Sequence, residues 1–256
     1  LFTLAVLGGF TMFSLLFYAP LLFQGGFGMS PQEAGLVITP LVVCITLGSI
    51  INGRIVTRIP KPNVMLYAGF VLLTLALAGM SVSSRTTSHG MLTFLMLLAG
   101  LGLGFVLPNL TVFAQQSAGR AHLGIATALL QSLRMVGGMV GTALVGTLVS
   151  ERFASGVGDA LRADNATQWL HRLSDPEILI DHEAQTALLA QMHAAGHDGA
   201  ALLEVARHVL VGAIHIGLIA ATVVAAIGLW RVRRVPPVVL HHVEPVQHTD
   251  SATRSR

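Results

Sequence analysis

Apolar residues along this chain gather into six long runs, at 1–23, 34–51, 64–82, 91–113, 123–149 and 208–230, separated by polar interruptions. A helix needs roughly 20 mostly apolar residues to cross the hydrocarbon layer, so each run predicts one transmembrane helix. The run 34–51 is the shortest, and its central Pro40 predicts a kink rather than an end. Segments of about ten alternating residues, which an outer-membrane barrel requires, are not visible. The predicted fold class is all-α integral membrane with six spans.

The polar remainder has its own pattern. Residues 150–207 make the one sizeable water-exposed segment. Ser174-Asp175-Pro176-Glu177 reads as a helix start, with a capping side chain, proline in the first turn and an acid at the positive dipole end. Leu188, Leu189, Met192, Leu202, Leu203 and Ala206 follow at loosely helical spacing, which predicts two amphipathic helices over one face of the bundle. The organisation is then 1–149 for the first five spans, 150–207 for an extracytoplasmic loop, 208–230 for the sixth span and 231–256 for a disordered tail.

Composition sharpens this picture. Apolar residues make up 53% of the chain, charged residues 11%, and mean hydropathy is +0.72, whereas soluble domains carry about 25% charge. A net charge of +3 and a pI near 9.8 would suit a nucleic-acid partner, but the placement of the charges excludes that reading. Arg54, Arg58, Lys61, Arg120, Arg231, Arg233 and Arg234 lie beside span ends on one side, while ten of the twelve acids lie on the other. The positive-inside rule then makes the basic side cytoplasmic, with both chain ends there and the protein in the cell membrane. Trp230 beside Arg231 marks an interfacial anchor. The single cysteine, Cys44, lies inside a span and reads as packing. The chain opens on Leu1 without a basic region ahead of the first apolar run, so a fragment of a longer protein is expected, not a cleaved signal.

Arg134 carries the sharpest chemical signal. It lies eleven residues beyond Leu123, roughly 17 Å into the membrane at 1.5 Å per residue. An arginine there costs about 2.5–3.5 kcal/mol on insertion scales and faces a bundle interior or an aqueous cavity. Gln131 lies one turn earlier on the same face. Either the pair forms a cavity wall that meets substrate, or the arginine is structural and satisfied by backbone carbonyls. No acid lies within the six spans to pair with it. Asn109 and Gln115 could line the same cavity or bond between helices.

Glycines recur four apart at Gly100 and Gly104, with Pro108 next in the row, and at Gly137 and Gly141 beside Gly138. Small residues at this spacing let helices approach closely, and packing is their expected role. His215 lies in the apolar run and is either a proton-sensitive group or a buried neutral imidazole. His193 and His197 lack a third ligand, so no metal is expected, and no cofactor either. Gly100-Leu-Gly-Leu-Gly104 follows no strand and is no phosphate loop. No nucleophile–base pair suggests an enzyme.

Three segments together resemble the C-terminal half of a major facilitator superfamily transporter, of the fourteen-helix EmrB/QacA drug:proton antiporter type. One is Phe17-Tyr-Ala-Pro-Leu-Leu-Phe-Gln24 with Met29-Ser-Pro-Gln-Glu-Ala-Gly35 and Pro40. Another is Gly53-Arg-Ile-Val-Thr-Arg-Ile-Pro-Lys61, similar to the superfamily's G-x-x-x-D-R-x-G-R loop, though Thr57 replaces its acid and Pro60 its second glycine. The third runs from Gly100 through Pro108, Leu123-Gly124 and Gln131-Ser-Leu-Arg134 to Gly137-Gly138. The resemblance implies a six-helix half built as a 3+3 inverted repeat, Gly53, Arg54, Arg58 and Lys61 as the topology and gating loop, and proton-coupled efflux of small amphipathic compounds. Its implied partners are the lipid bilayer, the other half of the transporter, a small-molecule substrate and protons. The alternative is a standalone six-helix receptor that binds a ligand through the outer loop.

Overall fold

A computed structural model describes residues 1–56, 63–163, 169, 176–179, 182–194 and 199–234. Every regular element among them is helical. The helices are α1 (Phe2–Leu21), α2 (Pro31–Val56), α3 (Asn63–Ser81), α4 (His89–Ala118), α5 (Leu123–Ala163), α6 (His182–Ala194) and α7 (Gly199–Val232). All but α6 are long and apolar enough to cross a membrane, which makes the chain a multi-pass membrane protein. α2 passes through Pro40 and α4 through Pro108 without a break.

Local chemistry sets the helix ends. Pro20 lies inside α1, and the chain then widens into a π-turn over Leu22–Gly26, closed by the Phe27 amide on the Leu22 carbonyl at 2.8 Å. A proline inside a helix removes a donor, and local π adjustment is one way the freed carbonyls are satisfied again. Gly28 then adopts φ +72°, a left-handed conformation open to glycine at no steric cost. Ser30 and Glu33 form a reciprocal capping box at the start of α2. The Ser30 amide donates to Glu33 Oε2 at 2.9 Å, and the Glu33 amide donates to Ser30 Oγ at 3.3 Å. Pro31 occupies the first helical position, where its missing donor costs nothing. Ser88 caps α4 by accepting from the Met91 amide.

Helix packing follows an internal symmetry. Exchanging α1, α2 and α3 for α4, α5 and α7 turns the α1–α5 contact into the α4–α2 contact. The same exchange turns α3–α4 into α7–α1 and maps α3–α7 onto itself. That is the pattern of a 3+3 inverted repeat, the architecture of half a major facilitator fold. The symmetry is incomplete, because α5 packs extensively along α7 while α2 and α3 have no comparable contact.

Both equivalent crossings run over glycine. On α4, a Cβ at Gly104 would fall 2.6 Å from the Ile45 carbonyl oxygen of α2, and Gly48 of α2 lies reciprocally against Leu101 and Gly104. On α5, Gly137 sits on the Val6 backbone, Gly138 on the Phe13 ring and Gly141 on the Phe10 backbone of α1. Gly9 of α1 answers by sitting on the Arg134 carbonyl. Lipid offers no hydrophobic drive for helices to associate, so close backbone approach is a main source of their packing energy. Cys44 belongs to the α2–α4 seam, with its Cβ against Gly100.

The region between the fifth and sixth apolar runs is more helical than their limits suggest. α5 continues to Ala163, and Leu202, Leu203 and Ala206 belong to the first turns of α7. The first amphipathic stretch forms α6, preceded by a short 3-10 turn at Pro176–Leu179. The expected capping residues Ser174 and Asp175, together with Arg58, Lys61 and the tail from 235, lie outside the described residues.

Candidate functional site

The sequence candidates separate into three places. Arg134 and Gln131 form the first. Arg134 is half-buried on α5, and its guanidinium donates to Gln131 Oε1 one turn earlier. Their shared face follows from i, i+3 spacing. The backbone of the same turn is pinned by Gly9, so the seam that holds α5 to α1 also fixes where this guanidinium starts. Among the described residues no carboxylate pairs with Arg134.

The second place lies at the near end of the same helices. Gln115 on α4 donates to the Thr127 hydroxyl on α5 at 3.0 Å and ties the two helices together below Arg134. Asn109 behaves differently. It is fully buried, and its Nδ2 donates at 2.7 Å both to Asn52 Oδ1 on α2 and to the Phe105 carbonyl of its own helix. Of the two roles open to it in the sequence, the geometry supplies a bond between helices. Asn52 was not among the sequence candidates, because it lies one residue beyond the apolar run 34–51, where a polar side chain reads as the start of the basic loop.

The third place is His215 on α7. Its Nε2 is buried without a hydrogen-bond partner among the described residues. It stands on another helix than Arg134. Gly53 and Arg54 close α2 at the basic end. On the neighbouring helices Arg233 donates to the Tyr67 hydroxyl at 3.0 Å, and Arg234 stacks 3.9 Å over the Trp230 ring. Such stacking suits an aromatic anchor at a membrane surface.

α2 and α5 complete the surroundings. Each turns a broad apolar face outward, including Leu36, Val43, Leu47 and Ile51 on α2 and Val136, Met139, Val140 and Leu144 on α5. Arg134 thus sits at the flank of a helix with one face packed and the other uncovered.

The sequence pattern of the Major Facilitator Superfamily matches residues 1–142. The chain belongs to that superfamily. Among named relatives, the chain is similar to the multidrug transporter protein MdtP of Bacillus subtilis (strain 168), 32% identical over 59% of this chain and 28% of the relative. It is 33% identical to the tetracenomycin C resistance and export protein of Streptomyces glaucescens, over 61% of this chain and 28% of that protein. A methylenomycin A resistance protein of Bacillus subtilis (strain 168) is 27% identical over 76% of this chain and 39% of its own length. The chain therefore spans well under half of the relatives it matches. Within the superfamily, a unit of six membrane helices built as a 3+3 repeat corresponds to half of a transporter fold.

Proposed function

We propose that this chain is the C-terminal half of a fourteen-helix drug:proton antiporter, and that the whole protein exports small amphipathic compounds. The observation that carries the reading is Arg134, half-buried in an apolar helix with Gln131 as its side-chain partner. An arginine at that depth needs water, an acid or a polar ligand. A cavity between two halves, opening alternately to either side, supplies all three in turn. Gln131 and Gln115 would share the wall, and Asn109 would hold α2 to α4 behind it.

The names of the relatives support export, since they are a multidrug transporter, an export protein and a resistance protein. The uncovered faces of α2 and α5 suit contact with a second six-helix unit and with lipid. No aspartate or glutamate lies within the apolar runs, so the proton-coupling carboxylate is assigned to the other half. His215 is a second titratable group, on another helix than Arg134. Basic residues at one rim support a cytoplasmic location for both ends of this chain.

The test is transport rate per folded molecule in the full-length protein. Arg134→Lys keeps the charge but loses the planar multi-donor fork and should impair transport. Arg134→Ala should nearly abolish it with membrane levels preserved. Wild-type rates in Arg134→Ala would remove Arg134 from the site. A loss of folded protein in proportion to activity would make it structural.

A further inference from the structure

A second polar cluster lies at the rim opposite Arg54 and the end of α2. Three connections meet there: the α1–α2 turn at Gly28, the α3–α4 turn at Arg85, and the first turns of α7 with Glu204 and Arg207. A Cβ placed on Gly28 would lie 3.0 Å from Arg207 Nη1 and 3.7 Å from Arg85 Nη2, so both guanidinium groups reach the same point. Like charges this close need a counter-charge. Glu204 pairs with Arg85, which leaves the cluster with one positive charge in excess among the described residues.

The hydrogen bonds are unbalanced in the same direction. Arg207 Nη2 donates to Gln185 Oε1 of α6 at 3.3 Å. A guanidinium only donates, so the Gln185 amide must turn its oxygen to the arginine and its nitrogen away. That nitrogen is buried and has no partner, on a side chain only 7% exposed. Arg207 Nε is likewise buried and unpartnered. A buried donor without an acceptor loses the hydrogen bonds it made to water and gains none in return, so two on touching side chains describe a place shaped for an acceptor. Arg85 keeps 36% of its side chain exposed, which leaves a way in from water.

We infer that Arg85 and Arg207, which meet at Gly28, together with Gln185 beside Arg207, bind one oxyanion of the phosphate or sulfate type. Donors arriving from a turn, a long helix and a short helix do not share one plane, as the fork of a single arginine does. A tetrahedral anion offers acceptors in three dimensions to match them. Such a group reaches this rim either free in solution or as the phosphodiester of an anionic lipid. The site is independent of the transport reading, because it lies at the bundle rim and asks nothing of Arg134.

The experiment uses the detergent-purified full-length protein and reads its unfolding temperature. One arm titrates sodium sulfate against sodium chloride at matched ionic strength, and the other adds phosphatidylglycerol against phosphatidylcholine in mixed micelles. Sulfate also stabilises proteins without binding them, so the comparison is between variants. In at least one arm wild type should show a saturable rise. Arg207→Gln should abolish it, Gln185→Leu should weaken the apparent affinity about tenfold, and Arg152→Gln, an exposed arginine elsewhere, should retain it. A response to sulfate identifies a free oxyanion; a response to phosphatidylglycerol alone identifies a lipid headgroup. If Arg207→Gln does not fold, Gln185→Leu decides by itself. No saturable rise in either arm, or an equal rise in Gln185→Leu, overturns the site.

Discussion

The Tyr18 hydroxyl on α1 donates to the Thr142 main-chain carbonyl on α5 at 2.9 Å, and Gly146, one turn further along α5, leaves room for it. A Cβ on Gly146 would lie 2.6 Å from that hydroxyl oxygen but 3.9 Å from the ring carbon that bears it. Gly146 is therefore fitted to the hydroxyl rather than to the ring.

A double-mutant cycle tests that fit. Tyr18→Phe loses one part-buried hydrogen bond, about 0.5–1.5 kcal/mol. Gly146→Ala alone should destabilise by about 1–3 kcal/mol through overpacking. In the Tyr18→Phe background the same alanine should cost much less, because the atom it strikes is gone. Unfolding midpoints of the four proteins give the coupling directly. Additive costs would mean that Gly146 is not shaped by Tyr18.

Glycines at the seams should separate sharply from glycines elsewhere. Gly137→Ala and Gly104→Ala place a methyl on the facing backbone, which cannot move aside as a side-chain tip can, so each should lower the folded yield strongly. Gly212, with nothing within 4 Å of a Cβ, should accept alanine with a gain of roughly 0.5–1 kcal/mol from helix propensity. Fluorescence-detected size exclusion of the detergent-solubilised variants ranks them.

The buried Asn52–Asn109 bond predicts an asymmetry. Asn52→Leu leaves the Asn109 amide only its own-helix carbonyl and should destabilise by about 1–2 kcal/mol. Removing both polar groups, as Asn52→Leu with Asn109→Leu, should recover part of that loss. Transport per folded molecule should stay near wild type in Asn109→Ala if the residue acts between helices alone. A fall in rate without a fall in folded protein would return it to the cavity wall.

Orientation is checked by labelling from outside in a Cys44→Ala background. A cysteine at Ser155, in the extension of α5, should react with an impermeant maleimide in sealed cells. One at Gly53 should react only after permeabilisation. The reverse result would invert the topology.

The six membrane helices were legible because lipid demands long apolar runs; the run at 91–113 falls inside α4, and the run at 64–82 matches α3 to within one residue at each end. The extensions of α5 and α7 were not, because Glu151, Arg152 and Asp159 end the apolar run while the helix continues amphipathically. Glycine spacing announced close packing but not the partner. Gly137 meets Val6 and Gly104 meets Ile45 only through a fold in which α1 pairs with α5 and α2 with α4. The Ser30–Glu33 capping box stands in the sequence as S-x-x-E and needed no tertiary knowledge. The Arg85–Arg207 cluster was invisible, because it joins turns far apart in the chain. The Arg134–Gln131 pair was readable, being an i, i+3 contact within one helix.

α5 is a single 41-residue helix without a proline, about 60 Å long against a hydrocarbon layer of about 30 Å. Much of it therefore stands outside the membrane as a stiff extension of the part that carries Arg134. From Arg134 to Ala163 the rod is about 44 Å, so a tilt of about 10° at the arginine swings the far tip by about 8 Å. The helix is a lever with its short arm in the lipid, and a rearrangement too small to reorder the glycine seam would still be broadcast as a large displacement in the aqueous phase.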